Sequence, residues 1–448
     1  MNRRLLLISA ATLLLTGACS GTDNEATDSA GPVTLVVNGL PPDTDPVNRA
    51  NFQKDVAAFQ DKYPDIKIDA REGMMDPQTF AAKLAGGQIE DVFYVYFTDP
   101  QGLIRKRQVA DVSKQLADFP AIKQVKPELM RIFSDDAGKV YGLPSQNYSM
   151  GLVYNRDLFT KAGLDPDNPP KTWAEVRTAA QKLTAIGGGV VGYGDYSKSN
   201  TGGWHFTAET YSLGGDVATQ DGEAWKASFN NATGKQVLQQ LKDMRWTDRT
   251  MGEKQLLEYA DLLRMMGGGK LGMYLGTGSD IVNIVNQYKG SFEKFGLGPM
   301  PDGKATLGGG DGYMFKAGLS PAKIKAGLTW LTWKNLDPAR ITETTRRAST
   351  NKEPVGLPQP NVWVPGSEPD KQLAAARKEF GNVPTGNFAP FEAAVGQIPL
   401  KLEPPLAQQV YAVLDVPMQK VLTDRDADVD ALLAEAETQV NAVLGAAK

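Results

Sequence analysis

The chain has 448 residues, 41% of them hydrophobic, and its 48 Lys and Arg against 52 Asp and Glu give a formal net charge of −4. That balance argues against a polyanion such as nucleic acid as a partner, and the hydrophobic share is that of a soluble globular protein. Cys19 is the only cysteine and His205 the only histidine, so no disulfide framework or multi-Cys/His metal centre can be assembled, and a Ser-His-Asp triad would have to be built on His205 alone.

Residues 1–19, MNRRLLLISAATLLLTGAC, place Arg3 and Arg4 before an apolar run, Leu5 to Leu15, that is too short for a stable bilayer span, and then small residues directly before Cys19. The segment resembles a bacterial lipoprotein signal, in which 1–18 are removed and Cys19 carries lipid. That implies a protein held on the extracytoplasmic face of the cell membrane. Residues 19–32 are small, polar and acidic, cannot bury enough surface to fold, and are expected to be a disordered tether. About 415 residues remain, enough for two domains.

Val33 to Asn38 (VTLVVN) has the β-branched apolar run of a buried strand. Asn51 to Tyr63 sets Phe52, Val56 and Phe59 on one helical face and stops at Pro64. Ile66 to Ala70 alternates as a strand, a helix is expected around Gln78 to Leu84, and Asp91 to Phe97 (DVFYVYF) reads as another strand. This βαβαβ order predicts a mostly parallel sheet with helices on both faces and a ligand beyond the carboxyl ends of its strands. Thr172 and Glu175 have capping-box spacing ahead of Val176, Ala180, Leu183 and Ile186, with Gly187 as the stop. Leu271 to Leu275 reads as a strand leading through Gly276-Thr277-Gly278 into a helix. Pro321 to Leu336 and the last fifty residues read as helical. Gly187 to Gly192 fits G-x-G-x-x-G but follows a helix and precedes a strand, the reverse of a dinucleotide site. Glu403, Asp424, Asp426, Asp428 and Asp430 lack calcium-loop spacing and read as a solvated turn and helix start. Neither a cofactor nor a metal is expected.

From Tyr141 the chain runs YGLPSQNYSMGLVYNRDLFTKAGL and then PPKTWAEV. Tyr141-Gly142-Leu143-Pro144, Gly151, Tyr154-Asn155, Asp157-Leu158-Phe159, Ala162-Gly163 and Pro170-Lys171-Thr172-Trp173, in this order, resemble the family 1 extracellular solute-binding proteins of ABC importers, to which the maltose-binding protein belongs. Gly86-Gly87, Val109 to Val112, the Gly276 turn and Gly308-Gly309-Gly310 add to a likeness that extends from Val33 to about Asn335. The resemblance implies a periplasmic-binding-protein-like α/β fold, two lobes joined by a multi-crossing hinge with a ligand cleft between them. Lobe 1 is expected to comprise 33–143 plus 306–352, and lobe 2 144–305 plus 353–448. The crossings would fall at Ser145 to Tyr154, near Leu307 to Gly312 and near Asn351 to Pro354, where glycines would absorb the dihedral changes of closure.

A sugar needs paired donors and acceptors for its hydroxyls and aromatic faces for its ring. Asn38, Thr98 and Asp99 lie at the expected carboxyl ends of two strands and Glu72 just after a third. Gln146, Asn147 and Tyr148 occupy the first crossing and Asp311 the second, while Gly276 and Thr277 would offer backbone N–H groups at a helix start. Tyr196, Trp204 and His205 belong to YGDYSKSNTGGWH, with Trp204 the preferred stacking surface. Trp330 and Trp333 read as packing residues, and Trp363 sits in a proline-rich loop that leaves it free to line the cleft. The resemblance thus implies a non-enzymatic, monomeric binding protein that takes a mono- or oligosaccharide to an ABC permease. Three alternatives stay open: a polyamine or other small cationic solute in the same fold, for which the acids Glu72, Asp99 and Asp311 would be suited, an exported carbohydrate-active enzyme using those same carboxylates, and a lipoprotein without a transporter.

Overall fold

The computed structural model describes residues 32–43, 46–75, 79–222, 224–288 and 290–445. The signal segment, Cys19 and the tether up to residue 31 lie outside them. Three strands open the first lobe: β1 (Val33–Leu40), β2 (Ile66–Glu72) and β3 (Val92–Tyr96). They are parallel, in the order β2-β1-β3, as the βαβαβ reading predicts. The connecting helix Pro46–Lys62 begins earlier than its apolar stripe suggests and buries Phe52 and Phe59. Phe59 meets Trp330 edge-on at 5.0 Å and Trp333 at 5.4 Å, so the two tryptophans are packing residues.

β4 (Gly142–Ser149) and β5 (Gly151–Asn155) follow on either side of Met150. β4 belongs to the first lobe's sheet, whereas β5 joins a second sheet with β6 (Val191–Tyr193). Ser145 to Ser149 therefore do not cross between lobes; the change of sheet is confined to Met150. A two-stranded ribbon, β7 (Ala218–Asp221) and β8 (Ala224–Ala227), follows and packs Ala218, Trp225 and Ala227 against the second lobe's core. β9 (Leu271–Gly276) and β10 (Phe295–Gly298) complete the second sheet in the order β10-β5-β9-β6. Its helix Trp173–Thr184 starts with the expected reciprocal bonds, Thr172 accepting from the Glu175 N–H while Glu175 accepts from the Thr172 N–H. Gly187, Gly188 and Gly189 all have positive φ and form the turn after that helix.

The chain returns to the first sheet through β11 (Thr306–Phe315) and again through β12 (Leu400–Leu402). β4 lies antiparallel along one edge of β11. The other edge is shared: β12 pairs parallel with Thr306 to Gly308, and β3 pairs antiparallel with Asp311 to Phe315. The carboxyl ends of β3 and β12 thus meet head to head, and the Phe97 N–H donates to Gly310 O at 3.0 Å. Three passages between the lobes are laced together here: Met150 N–H donates to Leu307 O (3.1 Å), Thr306 Oγ1 to Met150 O (3.0 Å) and Thr306 N–H to Pro399 O (2.9 Å).

Gly308 to Gly310 lie within a strand and have no positive φ, contrary to the reading of them as conformationally permissive hinge residues. Close approach is what demands glycine: a Cβ would meet Leu400 at position 308, the Tyr148 ring at 309 and the Phe97 ring at 310. The stretch after Asn351 is also more divided than expected. Val362 and Trp363 are buried in the first lobe's core, Trp363 bridging to Val125, while Leu357, Phe388 and Phe391 pack in the second. Trp363 is 4% exposed and does not line the cleft. The helices Ala407–Thr423 and Val429–Gly445 close the second lobe, burying Val410, Leu414, Leu433 and Val440.

Candidate functional site

Alternation along DVFYVYF turns Tyr94 and Tyr96 to the same face of β3, towards its carboxyl end. Their rings meet edge-on at 5.3 Å, and Tyr96 is the only aromatic among the exposed large apolar side chains of the described residues, at 38%. Tyr94 Oη donates to Asp311 Oδ2 at 3.0 Å. The same oxygen accepts from Gln146 Nε2 at 2.8 Å, and Ser145 Oγ donates to Oδ1. Asp311 is buried, and that burial raises its carboxyl above the ordinary range despite these donors. Asp311 and Gln146, expected on two separate crossings between the lobes, instead meet on adjacent strands of the first lobe's sheet.

The junction of β3 and β12 forms the floor. Asp99 accepts from the Tyr96 N–H at 3.0 Å, and Glu403, directly after β12, accepts from Tyr411 Oη at 3.2 Å. Burial lifts Asp99 to about 6. Burial, helped by the charge of Asp99, lifts Glu403 to about 7. Among the described residues no lysine or arginine pairs with Asp99, Asp311 or Glu403. Lys401 turns instead to Asp216, at 2.6 Å. The Thr98 hydroxyl, next to Asp99 in the chain, is buried without a partner among the described residues.

The opposite wall comes from the helix Thr201–Ser212. Its N-terminus is held by Asp415, which accepts from the Asn200 and Gly203 N–H groups at 2.8 and 2.9 Å. Trp204 is half-buried on this first turn, and its ring lies 6.3 Å from that of Tyr148, joining the two lobes. His205 stacks beneath Trp204 at 5.4 Å and 29°, with Nδ1 2.8 Å from Asp195 Oδ2. Tyr196 packs edge-on against His205 at 4.4 Å. Tyr196 and His205 are buried, at 3% and 0%, so they support Trp204 from behind rather than face a solute.

Other expected residues serve the scaffold. Asn38 is buried and accepts from the Tyr94 N–H at 2.9 Å, locking β1 to β3. Asn147 is buried with its side-chain amide against the Pro360 and Asn361 carbonyls, an arrangement that pairs when the amide nitrogen faces them. Glu72 is exposed and paired with Arg49 at 2.8 Å, apart from the Asp311 group. Gly276 pairs with Gly151 within the second sheet, and the Thr277 N–H already donates to Asp280 Oδ2 at 3.1 Å. The helix start at Gly278 is overlain by Pro358 and Gln359. That N-terminus is occupied by the chain's own groups. Sequence reasoning missed Tyr94, Tyr96, Ser145 and Glu403. The period-2 pattern of β3 contained the signal for the tyrosines; Glu403 carried none, because a three-residue strand leaves no pattern.

A groove of about 230 Å³ lined by Asn155, Asp157, Lys161, Gly267 and Lys294 lies elsewhere on the second lobe and shares no residue with this cluster. Two α/β lobes laced by several crossings, with strand ends and one helix start converging on an aromatic and acidic cleft, define the periplasmic-binding-protein type of fold.

The chain belongs to the bacterial extracellular solute-binding protein family, whose model matches residues 44–333. Among relatives, a binding protein of Brucella abortus is 28% identical over 168 residues, 37% of this chain and 39% of its own. The sn-glycerol-3-phosphate-binding periplasmic protein UgpB of Agrobacterium fabrum is 29% identical over 189 residues, 39% and 36% of the two chains. These matches span about two fifths of the curated relatives' length. Among solved structures, the cyclic α-maltosyl-1,6-maltose binding protein of Arthrobacter globiformis superposes with TM-score 0.69 at 22% identity, over 92% of this chain and 99% of that one. UgpB of Mycobacterium tuberculosis with glycerophosphocholine gives TM-score 0.70 at 16% identity, over 93% and 99%. At such identities the likeness concerns the fold.

Proposed function

We propose that the chain is the solute-binding component of an ABC importer, tethered through lipid on Cys19, and that it captures a mono- or oligosaccharide between its lobes for delivery to a membrane permease. One observation carries the solute reading: Tyr96 and Trp204 present rings at the cleft, where Gln146, Asp99, Asp311 and Glu403 supply hydrogen-bonding groups. Such a wall suits the apolar faces and paired hydroxyls of a pyranose. Binding across both lobes would favour the closed arrangement, the form a permease can distinguish from the empty protein. A sugar phosphate or glycerol phosphate suits the cleft poorly, because among the described residues the carboxylates have no basic partner to offset an added anion.

The test is a calorimetric titration of the mature chain, residues 20–448, with a saccharide panel, repeated with Trp204→Ala. Saturable binding to a sugar, weakened at least about tenfold in the variant, is expected. Wild-type affinity in the variant would remove Trp204 from the site.

A further inference from the structure

We propose that the solute carries a positively charged nitrogen, making it an amino sugar, and that this nitrogen sits against Asp99 and Glu403 where β3 and β12 meet. The inference rests on the reading of this cleft as the solute site and narrows its chemistry. Because β3 and β12 approach head to head along one edge of β11, their carboxyl ends deliver Asp99 and Glu403 to the same gap over Gly308 to Gly310. Each carboxylate uses one oxygen internally, Asp99 Oδ2 towards the Tyr96 N–H and Glu403 Oε1 towards Tyr411 Oη. The other two, Asp99 Oδ1 and Glu403 Oε2, receive no hydrogen bond from any described residue.

A neutral hydroxyl can satisfy such an oxygen but brings no counter-charge to two neighbouring carboxyl groups. An ammonium group supplies both the donors and the compensating charge. The aromatic residues bear on the same point independently of the acids. Tyr96 is exposed beside Asp99, and Tyr148 lies over Gly309 with Trp204 against it. Rings so placed attract a cation through their faces while leaving apolar surface for a sugar ring. Asp311, on the wall above, adds a third carboxylate whose partners are Tyr94, Gln146 and Ser145, all neutral.

The test titrates the mature chain with three disaccharides on one β-1,4-linked glucose frame, the glucosamine disaccharide, its N,N′-diacetyl form and cellobiose, with spermidine as a fourth probe. The glucosamine disaccharide should bind at least about tenfold more tightly than cellobiose, and the gap should narrow in about 0.5 M NaCl. Glu403→Gln should shrink that ratio by about tenfold, with an unchanged circular dichroism spectrum showing that the variant is folded. Equal or tighter binding of cellobiose or the diacetyl form would overturn the charge inference and leave the saccharide reading standing. Binding of spermidine alone would keep the charge inference and remove the saccharide. Binding of none of the four would overturn the proposal.

Discussion

Tyr148 shows how a single residue ties fold to site. Its ring lies over Gly309 and against Trp204 of the other lobe, so the glycine beneath it is a space requirement. A Cβ on Gly309 would collide with Tyr148 Oη. Gly309→Ala is therefore expected to destabilise the protein by about 1–3 kcal/mol, read from urea denaturation, through displacement of that ring. Stability within a few tenths of a kcal/mol of wild type would mean that the ring has free room to move. At this scale the sequence was only partly legible. Asp311 and Gln146 were singled out through the crossings that the family resemblance implies and Trp204 through the composition of its segment, but Tyr196 and His205 stand in the same glycine-rich stretch as Trp204 and are buried behind it. Which side of a helix start faces a cleft depends on the helix's packing against Tyr411 and Asp415, more than two hundred residues away, and no local pattern records it.

Elements with strong local chemistry were the most legible. The helix Trp173–Thr184 announces itself through Thr172 and Glu175, and both reciprocal bonds form. Thr172→Ala should cost about 1 kcal/mol of stability, visible as a lowered urea midpoint with unchanged slope. An unchanged midpoint would show that Asp302, which accepts from the Trp173 N–H at 3.0 Å, secures that end by itself. The parallel β1, β2 and β3 were equally readable from their alternation with helices. The run Gly308 to Gly310 was not, because glycine at a close approach and glycine in a flexible turn look alike in one dimension. β12 was absorbed into the helical reading of the last fifty residues, although its three residues bring Glu403 to the floor of the cleft.

Across the whole molecule, the lobes are joined where the structure stores unfavourable charge. Asp99 and Glu403 keep their protons in the folded protein to about pH 6 and about pH 7, against ordinary values of 3.8 and 4.5. The folded state thus binds more protons than the unfolded state between these limits. Their contribution to stability is largest below the unfolded values and declines as pH rises through 6 to 7. Glu403→Gln, which has no charge to bury, should raise the melting temperature of the ligand-free protein more at pH 8 than at pH 5. An equal effect at both pH values would show that Glu403 ionises without penalty. The same arrangement gives binding a direction, since a solute that contacts Gln146 and Asp311 on one lobe and Trp204 on the other rewards closure across Met150 and Thr306.

Calorimetric titration of the mature chain with saccharides, carried out in parallel on Trp204→Ala, bears most directly on whether this cleft is a sugar-capture site. Saturable one-site binding of a saccharide, weakened at least about tenfold by the substitution, is the predicted result. Absence of binding to every saccharide tried, or equal affinity in the two proteins, would contradict it.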